Sequence, residues 1–325
     1  MERLSGFMDV PDRNWALETQ AASILRDALP ANIWDKLGKC FLDGDILSTQ
    51  AKEILSYLKD NSIITQMVQE DPTSSLTFEY LYRIKPITNN IDKYFPEGKA
   101  ATGIYERLNT LKTYLPEVIR TEIDRNGLSR NKYTILNIGS GPGHDTIEIM
   151  HENRDLAEKV HVTCLDPDSE ALRIGMEKAQ NYGLLKSFSF VEKKLQDFNG
   201  GKYDMLLLIG IFCTRQSDIS KKIIDNLSVY ARWNGIIVFS MVKNIMGLGD
   251  PLTDFLMRLA GWHMNYKYAG EPAEIAMAAG WKPFDRFYDN LGYNCMTIAR
   301  LEWNLSAGMK KMIYPVYRFY KSKKS

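Results

Sequence analysis

From Tyr133 to Met150 the chain reads Tyr-Thr-Ile-Leu-Asn-Ile-Gly-Ser-Gly-Pro-Gly-His-Asp-Thr-Ile-Glu-Ile-Met. Tyr133 to Ile138 is short, apolar and β-rich, which predicts a strand covered on both faces of a parallel sheet. Gly139, Gly141 and Gly143 permit the positive φ angles of a sharp turn and leave bare backbone for a ligand, while His144, Asp145 and Thr146 supply polar side chains where a helix begins. A second apolar run, Val160 to Leu165, predicts the next strand, and Asp166 stands at its end, 23 residues after Gly143. Ligands of open α/β sheets bind at the carboxyl edge of the strands. A carboxylate placed there can accept hydrogen bonds from both hydroxyls of a ribose, so the spacing predicts a nucleoside-binding loop.

The third glycine narrows the choice of nucleoside. A dinucleotide fingerprint needs glycine or alanine at the sixth position from Gly139, and that position is His144. No G-x-x-x-x-G-K-[ST] loop occurs. The pattern G-x-G-x-G, with Asp166, resembles motif I of the class I S-adenosylmethionine (SAM) dependent methyltransferases, and the resemblance runs from Tyr133 to Arg300. It implies a Rossmann-like α/β fold, a doubly wound seven-stranded sheet closed by a terminal antiparallel hairpin. Ser187 to Val191 corresponds to strand three, Tyr203 to Gly210 to strand four and Gly235 to Val242 to strand five. Gln216 to Tyr230 and Glu271 to Ala279 correspond to helices, and Trp281 to Tyr288 with Tyr293 to Arg300 form the hairpin around Asp289-Asn290-Leu291-Gly292.

The resemblance implies SAM as cofactor and S-adenosylhomocysteine as its product. It places Gly139, Ser140, Gly141, Pro142, Gly143 and Asp145 in the cofactor loop and Asp166 with Pro167 at the ribose. Gln196, Asp197 and Phe198 fall where the family holds adenine, and Gly210 and Ile211 follow strand four beside the transferable methyl. One position departs from the pattern. The family has an acid two residues before the first glycine, and here that residue is Asn137, which carries no charge for the ammonium group.

At 325 residues the chain is long enough for one large or two medium domains. Before Tyr133 the spacing turns helical, at Trp15 to Leu29, Thr49 to Leu58, Leu76 to Ile84 and Thr102 to Ile123, with prolines between and Pro116 inside the last. This predicts an all-helical N-terminal domain, residues 1–130, packed over the open edge of a SAM-binding domain, residues 131–304. A homodimer through the helical domain is a further expectation. Residues 305–325 form a basic, aromatic tail with six basic residues and no acid, which leaves the rest at 35 basic against 40 acidic residues. Such a body lacks the footprint of a nucleic-acid binder, so the expected partner is a small-molecule substrate. The four cysteines show no C-x-x-C, no metal-ligand cluster is visible, and no stretch of about 18 apolar residues or signal-peptide core occurs, which together predict a cytoplasmic protein.

Methyl transfer from a sulfonium is an in-line displacement, so alignment and exclusion of water matter more than a dedicated base. The segment Ile209-Gly210-Ile211-Phe212-Cys213-Thr214 lacks the Asp or Asn-Pro-Pro-aromatic motif of DNA amino-methylating enzymes and the Pro-Cys of RNA cytosine C5 enzymes. The carboxylate cluster of metal-dependent catechol enzymes is also missing. Asn244 to Ala269, rich in aromatics and glycine, predicts a mobile aromatic wall over the substrate, and His263 within it is a candidate general base. Tyr105 and Arg107, on the helix entering the sheet domain, are candidates to close over the methionine carboxylate, and Tyr105 is the second catalytic candidate. Two alternatives stay open: an aminocarboxypropyl transferase resembling nicotianamine synthase, and a catalytically silent SAM-binding module.

Overall fold

In the first strand, Tyr133–Ile138, Ile135 points to one face of the sheet and Leu136 and Ile138 to the other, and all three are buried. Continuous burial of a strand requires cover on both sides. The computed structural model, which describes residues 13–72, 74–126 and 132–301, supplies it.

Seven strands form one sheet: β1 (Tyr133–Ile138), β2 (Val160–Asp166), β3 (Phe188–Glu192), β4 (Tyr203–Leu208), β5 (Ala231–Val242), β6 (Trp281–Tyr288) and β7 (Asn294–Leu301), in the order β3-β2-β1-β4-β5-β7-β6. β1 to β5 run parallel, and β7 enters antiparallel between β5 and β6. This is the doubly wound sheet with a terminal hairpin that the sequence predicts. The order reverses at β1 and β4, so the crevice between their carboxyl ends is the switch point where such sheets bind ligands. One face packs against the helix His144–Glu152 and the second half of the long helix Lys99–Asn126; the other packs against Ser217–Leu227 and Glu271–Ala278.

Ahead of β1 lie the helices Gln20–Ala28, Ala31–Asp43, Thr49–Asn61 and Ile63–Glu70, and then Lys99–Asn126, which Pro116 does not end. Ala31–Asp43 and Ile63–Glu70 were not anticipated from the spacing. The long helix joins two cores: Ala100, Ala101 and Ile104 lie in the helical cluster, and Leu111, Leu115, Ile119 and Ile123 under the sheet. Arg300 of β7 pairs with the buried Glu122 on it, at 2.6 Å.

The segment after β5 corrects the expectation of a mobile aromatic wall. It folds into the helices Asn244–Gly249 and Pro251–Leu259, the second entirely buried. Phe255 and Trp262 join the core of the N-terminal helices, because apolar area of that size is stabilised by removal from water. Asp250 fixes the junction. One of its oxygens accepts from the Thr253 N–H (3.2 Å) and the other from the Ala100 N–H (2.9 Å), so a single side chain caps a helix from each segment. Residues 127–131, at the expected boundary between the two domains, and the basic tail lie outside the described residues. Among those residues no helix is long and apolar enough to cross a membrane, and no group of side chains could hold a metal ion.

Candidate cofactor site

The turn after β1 is held by backbone and by one carboxylate. The N–H groups of Gly139 and Ser140 both donate to the Leu165 carbonyl, at 2.8 and 3.3 Å, which ties the loop to the end of β2. Asp166 finishes the tie: one oxygen accepts from the Gly141 N–H (2.8 Å) and the other from the Asp168 N–H (2.9 Å). Two oxygens offer about four lone-pair sites, so acceptor capacity remains for a ribose. Burial raises the Asp166 carboxyl above the usual range, against the opposing pull of those two N–H groups. Sequence reasoning gave Asp166 the ribose alone; the structure adds the shaping of the loop.

Gly141 has φ +51°, in the left-handed region, and a Cβ there would stand 2.5 Å from the Cβ of Ser75. Ser75 belongs to the N-terminal helical part, so a piece of that part lies directly on the cofactor loop. Pro142 is fixed from behind, because its carbonyl approaches Gly175 so closely that a Cβ at Gly175 would lie 2.1 Å from the oxygen. Ser140 turns its hydroxyl onto the Gly141 carbonyl (3.0 Å), Gly143 carries the helix start, and Pro167 is exposed beside Asp166.

The missing acid at Asn137 has a local answer. The buried Asn137 donates through Nδ2 to Asp145 (3.3 Å) and to the Thr146 hydroxyl (3.3 Å). Asp145 also accepts from the Thr146 N–H, at 2.7 Å. A carboxylate therefore stands beside residue 137 after all, supplied from the helix start. Burial raises its pKa, and Arg107 acts in the opposite sense. The Arg107 guanidinium is buried, with Nη2 bonded to the Tyr82 hydroxyl (2.9 Å) and lying 3.4 Å from where a Cβ on Gly210 would be. Its Nε has no partner. Burial opposes its charge, but Tyr82, Cys213 and Asp145 outweigh that and raise its pKa.

A strap crosses above these groups. Ser74 caps the turn Ser75–Thr77, the short helix Phe78–Leu81 follows, and Tyr82 ends it. Phe78 meets Trp262 edge-on at 5.8 Å and lies 5.8 Å from the Arg107 guanidinium. Glu79, 2% exposed, pairs with His144, 5% exposed, the residue after the last loop glycine. Lys178 Nζ sits 3.1 Å from the other ring nitrogen of His144 and 2.5 Å from Glu148. An ammonium can only donate, so Nδ1 accepts and Nε2–H donates to Glu79.

The remaining expected site residues divide. Ile211 covers Gly139, with its Cδ1 2.9 Å from where a Cβ would stand, and Gly210 lies under Arg107. Gln196 and Asp197 are exposed on the turn after β3. Phe198 is buried, its ring 5.7 Å from Tyr230 and 6.4 Å from Tyr203 in the apolar cluster on that face of the sheet. His263 is exposed on the turn after Pro251–Leu259, and partial burial followed by the Arg258 charge lowers its pKa. Tyr105 stacks under Arg83 (5.3 Å), since residues two apart on a helix point to different sides and Arg107 takes the side facing the loop. Neither has a described hydrogen bond or ring contact with the glycine loop. Sequence reasoning missed Ser75, Glu79, Tyr82 and Gly175; only Gly175, an isolated glycine inside a helical pattern, carried a signal.

No curated protein matches the sequence. Residues 129–286 match a family described as a methyltransferase domain. Among solved structures, a possible exported protein from Bordetella parapertussis aligns with TM-score 0.60 at 13% identity, over 90% of this chain and 100% of that one. Magnesium protoporphyrin IX methyltransferase from Synechocystis PCC 6803 with bound S-adenosylhomocysteine aligns with TM-score 0.51 at 16% identity, over 73% of this chain and 99% of that one. These likenesses show the fold, and the loop, the Asp166 tie and the strand order give it a cofactor edge. Residues 129–286, a little under half of the chain, are thus similar in sequence to a methyltransferase domain and have its fold.

Proposed function

We propose that this SAM-dependent enzyme methylates a small-molecule acceptor at oxygen, nitrogen or carbon, in a compartment enclosed by the strap. The observation that carries this reading is the covering of the β4 end by Arg107, Tyr82 and Phe78, which leaves a reacting edge walled by side chains of the N-terminal part. A walled edge suits a small acceptor better than a polymer.

The residues present fit the cofactor. Gly139 is exposed backbone beside Ile211, Gly141 lies under Ser75, and the orphaned Ser75 Oγ is a polar atom at the loop without a partner in the protein. Asp166 would accept from the ribose hydroxyls, Gln196 and Asp197 would meet the adenine edge, Asp145 would face the ammonium, and Arg107 would face the carboxylate of the methionine end. When bound, SAM supplies an electrophilic methyl carbon on a sulfonium. The protein's contribution is alignment and exclusion of water, by Ile211 below and the strap above. An acceptor acidic enough to lose its proton to solvent needs no base. For one that keeps its proton, His263 and Tyr105 are the candidates, and the lowered pKa keeps His263 neutral and able to accept.

The test is product analysis with SAM and a panel of hydroxyl, carboxyl and amine acceptors. S-adenosylhomocysteine with a product about 14 Da heavier, one added CH₂ from displacement at the methyl carbon, is expected. Methylthioadenosine would indicate aminocarboxypropyl transfer, and binding without turnover of any acceptor would indicate a silent module.

A further inference from the structure

Among the described residues, the buried atoms Ser75 Oγ, in a half-buried residue, and Arg107 Nε have no hydrogen-bond partner, and Ser75 lies on Gly141 of the cofactor loop. An orphaned buried donor costs roughly 1–3 kcal/mol, so native structures keep few without a reason. Arg107 has its reason at the methionine end. Ser75 has none within the protein: its Oγ would lie 2.6 Å from a Cβ on Gly141, which places the hydroxyl on the bare side of the loop. The strap that carries it is anchored on three sides. Glu79 pairs with His144 on the loop's helix, Phe78 packs on Trp262, and Tyr82 bonds to Arg107. The Glu79–His144 pair joins the N-terminal part to the glycine loop directly, only four residues from Ser75 and one from Gly143.

We propose that Ser75 is a cofactor-binding residue, contributed by the N-terminal part, and that the buried Glu79–His144 pair is the positioning contact that sets its hydroxyl on the glycine loop. The strap yields to admit the cofactor and closes again with Ser75 Oγ donating to it. This rests on the SAM reading of the loop. The hydroxyl supplies one neutral hydrogen bond, and Glu79 acts only through the placement of Ser75.

Calorimetry with S-adenosylhomocysteine tests this on the full chain. Ser75→Ala removes the hydroxyl and little else, and affinity should fall about two- to tenfold, the range of one net hydrogen bond. Glu79→Ala should weaken binding at least as much. Ser75→Ala added to Glu79→Ala should cost no more than twofold further, because the hydroxyl is already misplaced, while Glu79→Gln, which keeps an acceptor for Nε2–H, should retain most of the affinity. Amide exchange of residues 74–82 in the wild-type protein should slow when S-adenosylhomocysteine is added, and this reading stands even if Glu79→Ala fails to fold. Unchanged affinity in Ser75→Ala, or exchange in the strap that ignores the ligand, would overturn the Ser75 assignment. Full additivity of the two alanine substitutions would overturn the positioning role of Glu79. Failure of the wild-type chain to bind S-adenosylhomocysteine at all would overturn the cofactor reading itself.

Discussion

Gly175→Ala sets two known effects against each other, and the structure decides between them. In an ordinary helix interior the change gains roughly 0.8–1 kcal/mol, because alanine loses less backbone entropy on folding. Gly175 lies in the interior of Ser169–Asn181, yet its new Cβ would stand 2.1 Å from the Pro142 oxygen and 2.9 Å from the Pro142 carbonyl carbon. Both are backbone atoms, so no side-chain rotation relieves the contact, and helix or loop must retreat by about an ångström. Overpacking of this kind costs typically 1–3 kcal/mol. The upper part of that range applies against immobile backbone, and after the helix gain a net loss of about 1–2 kcal/mol remains. At about 2 °C per kcal/mol for a long chain, the melting temperature should fall by about 2–4 °C. Because Pro142 is part of the cofactor loop, affinity for S-adenosylhomocysteine should fall as well. Thermal denaturation and calorimetry on the purified variant measure both. A variant at least as stable as the wild type, with unchanged affinity, would refute the claim that this helix presses on the loop.

Asp166→Ala should weaken S-adenosylhomocysteine binding about ten- to a hundredfold, since charge-assisted bonds contribute roughly 1.5–3 kcal/mol and the Gly141 N–H also loses its acceptor; calorimetry on the folded variant checks it. Burial raises the Asp166 and Asp145 carboxyls in the free protein, so acidification protonates them before it reaches the ordinary aspartate value of 3.8. A ligand that favours their ionised forms must then lose affinity as the pH falls, in a window that begins above 3.8. Calorimetry across pH that found affinity constant down to 3.8 would contradict the raised values. Asn137→Asp restores the family's usual acid but sets it beside the Asp145 carboxylate, so thermal stability should drop at neutral pH and recover relative to wild type on acidification, as the pair takes up a proton. Trp262→Ala should cost about 3–5 kcal/mol, read in denaturant unfolding, because the ring is 7% exposed and braces Phe78.

The sheet was legible because its signals are local. Strand period, glycine turn and Asp166 each sit within a few residues of the feature they specify, and the terminal hairpin announces itself by Asp289 to Gly292. The strap was not legible, because Ser75 and Glu79 act through loop residues 66 and 65 positions away, Gly141 and His144. No periodicity encodes that distance. The segment after β5 was misread for a related reason: glycines and aromatics suggest a loop when the partner surface is unknown, and Asp250 with Pro251 was a helix-start signal in plain sight. Asn137 was read as a lost charge because Asp145 compensates across a turn rather than along the strand.

The double cap at Asp250 also bears on how the chain is made. Residues 14 to 126 leave the ribosome first, but Phe255 and Trp262, which fill their core, and the carboxylate that caps the start of the long helix follow more than 120 residues later. At about 5–20 residues per second, the early helices wait on the order of ten seconds for their last partners. During that interval the faces of Leu37, Phe41, Ile54 and Tyr94 lack their final cover. A stop or excision before residue 250 would leave them so permanently, and the N-terminal helices and the sheet therefore mature as one object, on the schedule of the later segment.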